Sequence, residues 1–169
     1  MTTLLLIDVQ RNMLLPPTPA PGATEVGAAI EDLLERARAA GARVVHVRNN
    51  GGELDPDRPG TDGWELVHPP LTGEPVVDKL VPDAFTGTKL GDLLAAGDQL
   101  VVAGFQSEWC VRETGLEALR RGHEVQLVSG AHGTYDDGRP ATEISAGVEQ
   151  ELAGAGAKIV QPGEVIFRD

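Results

Sequence analysis

Residues 99–129, QLVVAGFQSEWCVRETGLEALRRGHEVQLVS, carry the pattern that decides the fold. The stretch opens and closes on short apolar runs, which are typical of strands buried on both faces of a sheet. Between them, from Cys110 onward, apolar and small residues recur at helical spacing, with charged residues on the opposite side. Gly122 follows the last periodic residue and is placed to end this helix. The stretch therefore predicts a strand–helix–strand unit whose two strands are parallel.

The same alternation extends over the rest of the chain. Apolar runs predict strands at 3–9, 42–48, 75–80, 98–105, 123–129 and 157–161. Helical spacing predicts further helices from Glu25 to Gly41, over 88–96 and over 141–156. Strands that alternate with helices form βαβ units. We therefore expect an α/β protein, a Rossmann-like three-layer sandwich with a mostly parallel six-stranded sheet, in a single domain over residues 1–169.

Composition and charge exclude several classes of function. The chain has 26 acidic against 14 basic residues, a net charge of −12, and its bases are scattered. We therefore expect no nucleic-acid partner and no binding to anionic membranes. A single cysteine leaves no internal disulfide and no cysteine-based zinc cluster. The start of the sequence lacks a signal-peptide pattern and no apolar run is long enough to span a membrane, so we expect a cytoplasmic protein.

Three reactive side chains lie at the ends of predicted strands. Asp8 is near the end of the first strand, Lys79 is near the end of the third, and Cys110 follows the fourth. Because parallel strands bring their carboxyl ends to one edge, where ligands bind in such sheets, we expect these side chains to converge. Taken singly, Asp8 could be a cap, Lys79 a surface lysine and Cys110 a packed hydrophobe. Their convergence favours a reactive site.

Three segments carry a family resemblance: LLLIDVQRNM around Asp8, VVDKLVPDAFTGTKL around Lys79, and LVVAGFQSEWCVRETGLEALRRGHEVQLVSGAH around Cys110. Over nearly the whole chain they resemble the isochorismatase-like cysteine hydrolases. The resemblance implies a Rossmann-like sheet and a catalytic triad of Asp8, Lys79 and Cys110. It also implies a homodimer or larger homo-oligomer that acts on a small molecule.

The residue types suggest how such a triad would work. Cys110 would attack an amide carbonyl to form a thioester, while Asp8 moves the protons and Lys79 holds Asp8 in place. A helix N-terminus and a nearby ammonium predict a thiolate-rich Cys110 that alkylates fast, although Asp8 opposes that shift. The backbone N–H of Cys110 would be one donor of the oxyanion hole. By resemblance the other is the N–H of Gln106, after a cis peptide between Phe105 and Gln106.

The loop at 49–75 and the segment SEWCV resemble most the branch of the family that includes streptothricin hydrolase. Nicotinamidases carry an Asp-x-His-type metal cluster after the second strand, where this chain has HVRNNGGELD with only His46. Isochorismatases proper lack the nucleophilic cysteine. We therefore expect no metal ion and no vinyl-ether hydrolysis. No Gly-x-Gly-x-x-Gly follows the first strand, so we expect no dinucleotide cofactor.

Four side chains are candidates for substrate binding: Trp64, Phe85, Trp109 and His132. The aromatic residues have an equally good alternative in ordinary packing or a subunit interface, and His132 has one as a capping or loop histidine. Residues 53–65 are rich in acids. If these acids face the pocket, cationic amides would be preferred.

These patterns predict a cofactor-free, cysteine-dependent amidohydrolase that cleaves a small carboxamide or cyclic amide through an acyl-Cys110 intermediate. The same three residues would also suit an ester or an N-carbamoyl group. An alternative of another class is a non-catalytic binding or redox-sensing protein with a reactive thiol. Asp8 and Lys79 favour the enzyme, since a sensor needs no proton shuttle.

Overall fold

A computed structural model describes residues 1–168 and arranges its strands in one six-stranded sheet. The strands are β1 Thr2–Ile7, β2 Arg43–Asn49, β3 Val76–Lys79, β4 Gln99–Phe105, β5 Glu124–Gly133 and β6 Lys158–Val160. Their spatial order is β3-β2-β1-β4-β5-β6, and every neighbouring pair is parallel. The order reverses between β1 and β4, and in sheets of this kind ligands bind beyond the carboxyl ends of the strands at such a reversal. The predicted α/β fold with a parallel sheet is confirmed.

Helices cover both faces of the sheet. They are α1 Arg11–Leu14, α2 Ala23–Ala39, α3 Leu90–Leu93, α4 Arg112–Arg120 and α5 Ala141–Ala155. Helix α2 buries Ile30 and Leu33 against one face, while α4 and α5 bury Ala118 and Leu152 against the other. Nowhere in residues 1–168 does a helix combine the length and the apolar character needed to cross a membrane.

Strand β1 lies in the middle of the sheet, and this position explains why its sequence is an apolar run. All six of its residues are buried. Because side chains alternate along a strand, Leu4 and Leu6 join the core on the α2 side, and Leu5 and Ile7 join the core on the α4 and α5 side. A central strand of this kind is covered on both faces, so the charged side chain of Asp8 stands out at its end.

The predicted helix over 88–96 is reduced in the structure to α3. The Thr88 hydroxyl donates to the Ala84 carbonyl at 2.5 Å and accepts from the Leu90 N–H at 3.1 Å. A carboxylate oxygen of Asp98 accepts from the Ala95 N–H at 2.9 Å. Such side-chain bonds compete with the helical ladder at both ends, which is why the helix is one turn long.

The long connection between β2 and β3 is anchored at its end by a group that we call the Glu74 cluster: Arg38, His46, Leu71 and Glu74. The Glu74 carboxylate accepts from Arg38 Nε at 2.7 Å and from Arg38 Nη2 at 2.8 Å. It also accepts from the Leu71 N–H at 2.9 Å and lies 3.0 Å from His46 Nε2. These contacts attach the connection to α2 and β2.

Candidate active site

Asp8 is placed by a close approach of two strands. It follows β1 with a φ of 50° and is fully buried. Its N–H donates to the Val47 carbonyl at 2.9 Å. On the other side, a Cβ at Gly104 would lie 1.9 Å from the Ile7 carbonyl oxygen, and Gly104 has a φ of 127°. Only glycine allows β4 to run this close to the end of β1, and this packing fixes Asp8 at the carboxyl edge of the sheet.

Lys79 is the last residue of β3, and its ammonium group joins the other candidates. It is 1% exposed, which is exceptional for a lysine. Lys79 Nζ lies 3.1 Å from Asp8 Oδ2 and 3.1 Å from Cys110 Sγ. It also donates to Asn49 Oδ1 at 3.0 Å. The sheet therefore brings Asp8, Lys79 and Cys110 into one cluster, with Asn49 as a further contact.

Cys110 lies inside a π-helical turn, Ser107–Val111, and not at the start of a helix as the sequence predicts; α4 begins two residues later. The N–H groups of Trp109 and Val111 both donate to the Gln106 carbonyl, at 3.2 and 3.1 Å. The peptide bond between Phe105 and Gln106 is cis. Turns of this kind often occur at functional sites, and this one leaves Cys110 half-buried beside Lys79.

The electrostatics of the cluster are those of a proton acceptor beside a protonated thiol. Burial raises the pKa of Asp8 to about 6, against the attraction of Lys79. Burial and the charge of Asp8 raise the pKa of Cys110 to about 12. Burial alone would lower the pKa of Lys79, but the charges and hydrogen bonds of Asp8 and Cys110 outweigh it and the pKa is raised.

These shifts correct the expectation of a thiolate-rich Cys110. The helix start that was expected to stabilise the thiolate lies two residues further on. The ammonium of Lys79 beside Cys110 is shared with the buried carboxylate of Asp8, which disfavours a second negative charge next to it. At neutral pH the proton therefore rests on the sulfur, and the ionised Asp8 is the group positioned to take it.

A hydrogen-bonded network behind Lys79 contains two residues that the sequence analysis missed, Gln10 and Asn49, and one acid of the 53–65 stretch, Asp57. Gln10 and Asp57 are buried. Asn49 bonds to Lys79, to Asp57 at 2.6 Å and to Gln10 through its backbone. A signal for Asn49 was available, because it ends β2 at the same sheet edge where Lys79 ends β3.

Two of the four candidate substrate residues have structural roles. Phe85 is 4% exposed and packs in the core, with its ring against His123 and under Arg121. Phe85 is thus a core residue in the structure, and its role as a wall of the substrate pocket stays a prediction. His132 is also buried, and both of its ring nitrogens have partners.

The partners of His132 explain what it does. Its Nδ1 lies 2.8 Å from the Ser107 hydroxyl, and its Nε2 lies 3.0 Å from Glu149 Oε1. Ser107 also contacts the Ser145 hydroxyl at 2.9 Å. This series of hydrogen bonds connects the turn that carries Cys110 to β5 and α5. His132 borders a cavity of about 450 Å³ whose lining does not include the Asp8–Lys79–Cys110 cluster, and a substrate contact of His132 stays a prediction.

The two tryptophans remain candidates. Trp64 is half-buried, donates its Nε1–H to Asn50 Oδ1 at 2.7 Å, and stacks under the Arg48 guanidinium at 3.6 Å. Trp109 is next to the thiol in sequence and is 56% exposed. Both stay predictions for substrate contact.

Three acidic side chains of the 53–65 stretch form hydrogen bonds or ion pairs within the protein. Asp57 accepts from Asn49, Asp55 accepts from the Gly52 N–H at 2.7 Å, and Asp62 pairs with Arg11 at 2.6 Å.

Within residues 1–168, no group of three or more His, Cys, Asp or Glu side chains is arranged to hold a metal ion. His46 contacts Glu74.

Fold and site together define a class: a doubly wound, Rossmann-like α/β protein with a buried Asp–Lys–Cys cluster at its ligand-binding edge. The family model of the Isochorismatase domain matches residues 2–153, and the chain belongs to this family of hydrolases. It is 47% identical over 137 residues to a streptothricin hydrolase of Streptomyces noursei, covering 79% of this chain and 54% of that protein. A second streptothricin hydrolase of the same organism is 46% identical over 137 residues, with 50% of its length covered. The chain thus spans about half the length of these relatives.

A solved structure supports the same assignment. An isochorismatase from Pseudomonas putida superimposes with a TM-score of 0.89 at 30% identity, covering 98% of this chain and 90% of that one. N-carbamoylsarcosine amidase from Thermoplasma acidophilum has the same fold, with a TM-score of 0.84 at 24% identity over 97% of this chain and 98% of that one. The predicted family is confirmed.

Proposed function

We propose that this protein is a cysteine-dependent amidohydrolase that cleaves the C–N bond of a small carboxamide or cyclic amide. The observation that carries the proposal is the ammonium of Lys79, which lies 3.1 Å from both the Asp8 carboxylate and the Cys110 sulfur. An acid–base group and a nucleophile held by one buried cation form the arrangement that acyl transfer needs. Streptothricin hydrolase relatives at 47% identity favour hydrolysis over a binding role.

In the proposed mechanism, Asp8 takes the thiol proton as the Cys110 sulfur attacks the amide carbonyl. The N–H groups of Gln106 and Cys110 are the proposed donors to the oxyanion. The C–N bond then breaks, and the protonated Asp8 returns the proton to the leaving amine. A water molecule, deprotonated by Asp8, attacks the thioester, and the carboxylic acid and the free thiol are released. Lys79 stays charged throughout and keeps Asp8 and Cys110 in register.

Two further proposals concern the setting of the reaction. Leu80 is 79% exposed, Val81 is 40% exposed and Trp109 is 56% exposed, and these apolar residues follow Lys79 or adjoin Cys110 in sequence. Exposed apolar residues beside a site favour a homo-oligomer that covers them. A single free cysteine suits a reducing compartment, which supports a cytoplasmic location.

The deciding experiment is intact-protein mass spectrometry after rapid acid quench, with a panel of small amides, esters, N-carbamoyl compounds and streptothricin. We expect a mass increase on Cys110 that is absent from Cys110→Ala, and its size identifies the acyl half of the substrate. Asp8→Asn is included as a second control, because without the group that takes the thiol proton the adduct should form at least ~10²-fold more slowly. An adduct from esters or N-carbamoyl compounds alone would reassign the bond. Rapid oxidation of Cys110 with no adduct from any compound would replace the enzyme by a redox sensor.

A further inference from the structure

Asn49 connects the reactive cluster to the long loop after β2. It is the last residue of β2 and is the register partner of Lys79, the last residue of β3. Its side-chain oxygen accepts from Lys79 Nζ at 3.0 Å, and its side-chain nitrogen donates to Asp57 Oδ2 at 2.6 Å. One amide group therefore bridges an ammonium and a carboxylate.

The chemistry of the neighbours fixes the orientation of this amide. An ammonium only donates, and an ionised carboxylate only accepts. If the Asn49 amide turned over, its NH₂ would face Lys79 and its oxygen would face Asp57, and both contacts would be repulsive. Asp57 thus keeps the Asn49 oxygen directed at Lys79.

The backbone of Asn49 is also fixed. Its N–H donates to Gln10 Oε1 at 2.9 Å, and its carbonyl accepts from Gln10 Nε2 at 3.0 Å, so the Gln10 side chain pairs with Asn49 as a neighbouring strand would. Gln10 Nε2 also donates to the Trp64 carbonyl at 3.0 Å. Asp57 is packed so closely that a Cβ at Gly51 would lie 2.0 Å from its Oδ1. The bridge has little freedom to move.

We propose that Asn49 is a positioning residue that occupies the third N–H of the Lys79 ammonium, with Asp57 orienting its amide, so that the other two N–H groups point at Asp8 and Cys110. An ammonium has three N–H donors; the structure gives Lys79 hydrogen bonds to Cys110 and Asn49 and an ion-pair contact of 3.1 Å with Asp8. Two of the three donors are thus bonded and the third remains for the Asp8 carboxylate, so we assign the oxyanion to backbone donors. The catalytic consequence of this positioning rests on the proposed amidohydrolase function.

The test uses the rate of Cys110 alkylation by iodoacetamide between pH 6 and 9, because this readout needs no substrate. Without Asn49 the ammonium turns partly toward water and stabilises the developing thiolate less. We expect Asn49→Ala to react about tenfold more slowly, the scale of one charge-assisted hydrogen bond, with its pH profile moved to higher pH. Where an amide is turned over, kcat should fall with little change in KM.

A pair of variants tests the bridge itself. Asn49→Asp places two carboxylates side by side and should react slowly. The double variant Asn49→Asp/Asp57→Asn restores the bridge with its polarity reversed, because the carboxylate at 49 accepts from both Lys79 and the new amide at 57. It should regain most of the lost rate. The matched control is Thr61→Val, which removes hydrogen bonds within the same loop that do not reach Lys79 and should alkylate like the unmodified protein.

Thermal unfolding of every variant separates positioning from stability. Wild-type alkylation rates and pH profile in a folded Asn49→Ala would overturn the proposal, as would equal rates for Asn49→Asp and the double variant. If no amide is hydrolysed but the alkylation rates follow the expected order, the amidohydrolase function fails and the positioning of Lys79 stands.

Discussion

Asp8, which follows β1, and Glu74, which precedes β3, are both carboxylates held by a basic side chain, and their pKa values move in opposite directions. The side chain of Asp8 is 0% exposed and its pKa is raised to about 6. The side chain of Glu74 is 9% exposed; burial would raise its pKa too, but bonds from Arg38, the Leu71 N–H and His46 outweigh it and lower the pKa to about 2.

The difference lies in how completely each charge is satisfied. Glu74 receives a two-pronged bond from Arg38, a backbone N–H and an imidazole contact, so its charged form is strongly favoured. Asp8 shares one lysine with a thiol and with Asn49. A fully satisfied carboxylate stabilises the fold and has no tendency to accept a proton. An incompletely satisfied one can take and return a proton near neutral pH.

The largest effect should come from removing the group that moves protons. We expect Asp8→Asn and Lys79→Ala each to lower kcat by at least ~10²-fold, the usual scale of lost acid–base help. Adding either change to Cys110→Ala should cost no further activity, because the three act as one unit. Glu74→Gln, assayed well below its unfolding temperature, should keep its kcat. A near-normal rate in a folded Asp8→Asn would remove Asp8 from the mechanism.

The raised pKa of Asp8 predicts an acid limb in the pH profile. Only ionised Asp8 accepts the thiol proton, so kcat/KM should fall about tenfold per pH unit below about pH 6. Lys79, Cys110 and Asp57 are the charged or titratable groups acting on Asp8, and the charge of Asp57 raises its pKa. Asp57→Asn should therefore move the limb to lower pH, while Glu74→Gln should leave it in place. A flat profile down to pH 5 would contradict this assignment.

The lowered pKa of Glu74 predicts a pH-dependent contribution to stability. A depressed carboxyl pKa stabilises the fold above the unfolded value of 4.5, and this contribution is lost as pH falls toward about 2. Glu74→Gln should lower the free energy of unfolding by about 2 kcal/mol at pH 7, and the difference should shrink toward pH 2. The control is Glu53→Gln, an exposed acid in the same connection. Equal losses at pH 7 and pH 3 would show a packing effect instead.

The smallest expected effect is that of chelation. The negative charge of Asp8 is balanced by the ammonium of Lys79, which Asn49 holds in place, so the proposed mechanism needs no metal ion. Turnover of a responsive amide should therefore survive exhaustive treatment with a chelator. Metal analysis of the purified protein checks the same point. A stoichiometric Zn or Fe whose removal abolishes turnover would contradict the metal-free mechanism and would require ligands other than those described above.

From the sequence alone, the parallel sheet and the convergence of Asp8, Lys79 and Cys110 at one of its edges could be predicted. Apolar strands that alternate with helices are compatible with few sheet topologies, because the connections between parallel strands are right-handed crossovers. Residues at the carboxyl ends of such strands then lie at the same edge of the sheet, whatever their separation along the chain. The family resemblance added the cis peptide before Gln106, which the structure contains.

Only the tertiary structure decided what surrounds those three residues. Nothing local to Phe85 shows that its ring turns into the core, and nothing local to His132 shows that Ser107 and Glu149 occupy both of its nitrogens. The Asn49–Asp57 bridge forms because the loop after β2 folds back and brings Asp57 to Asn49, eight residues earlier in the sequence. The charge state of Cys110 depends on its burial beside Asp8. Periodicity reports which elements form because it reflects local backbone geometry, whereas hydrogen-bond partners and pKa values depend on groups brought together from distant parts of the chain.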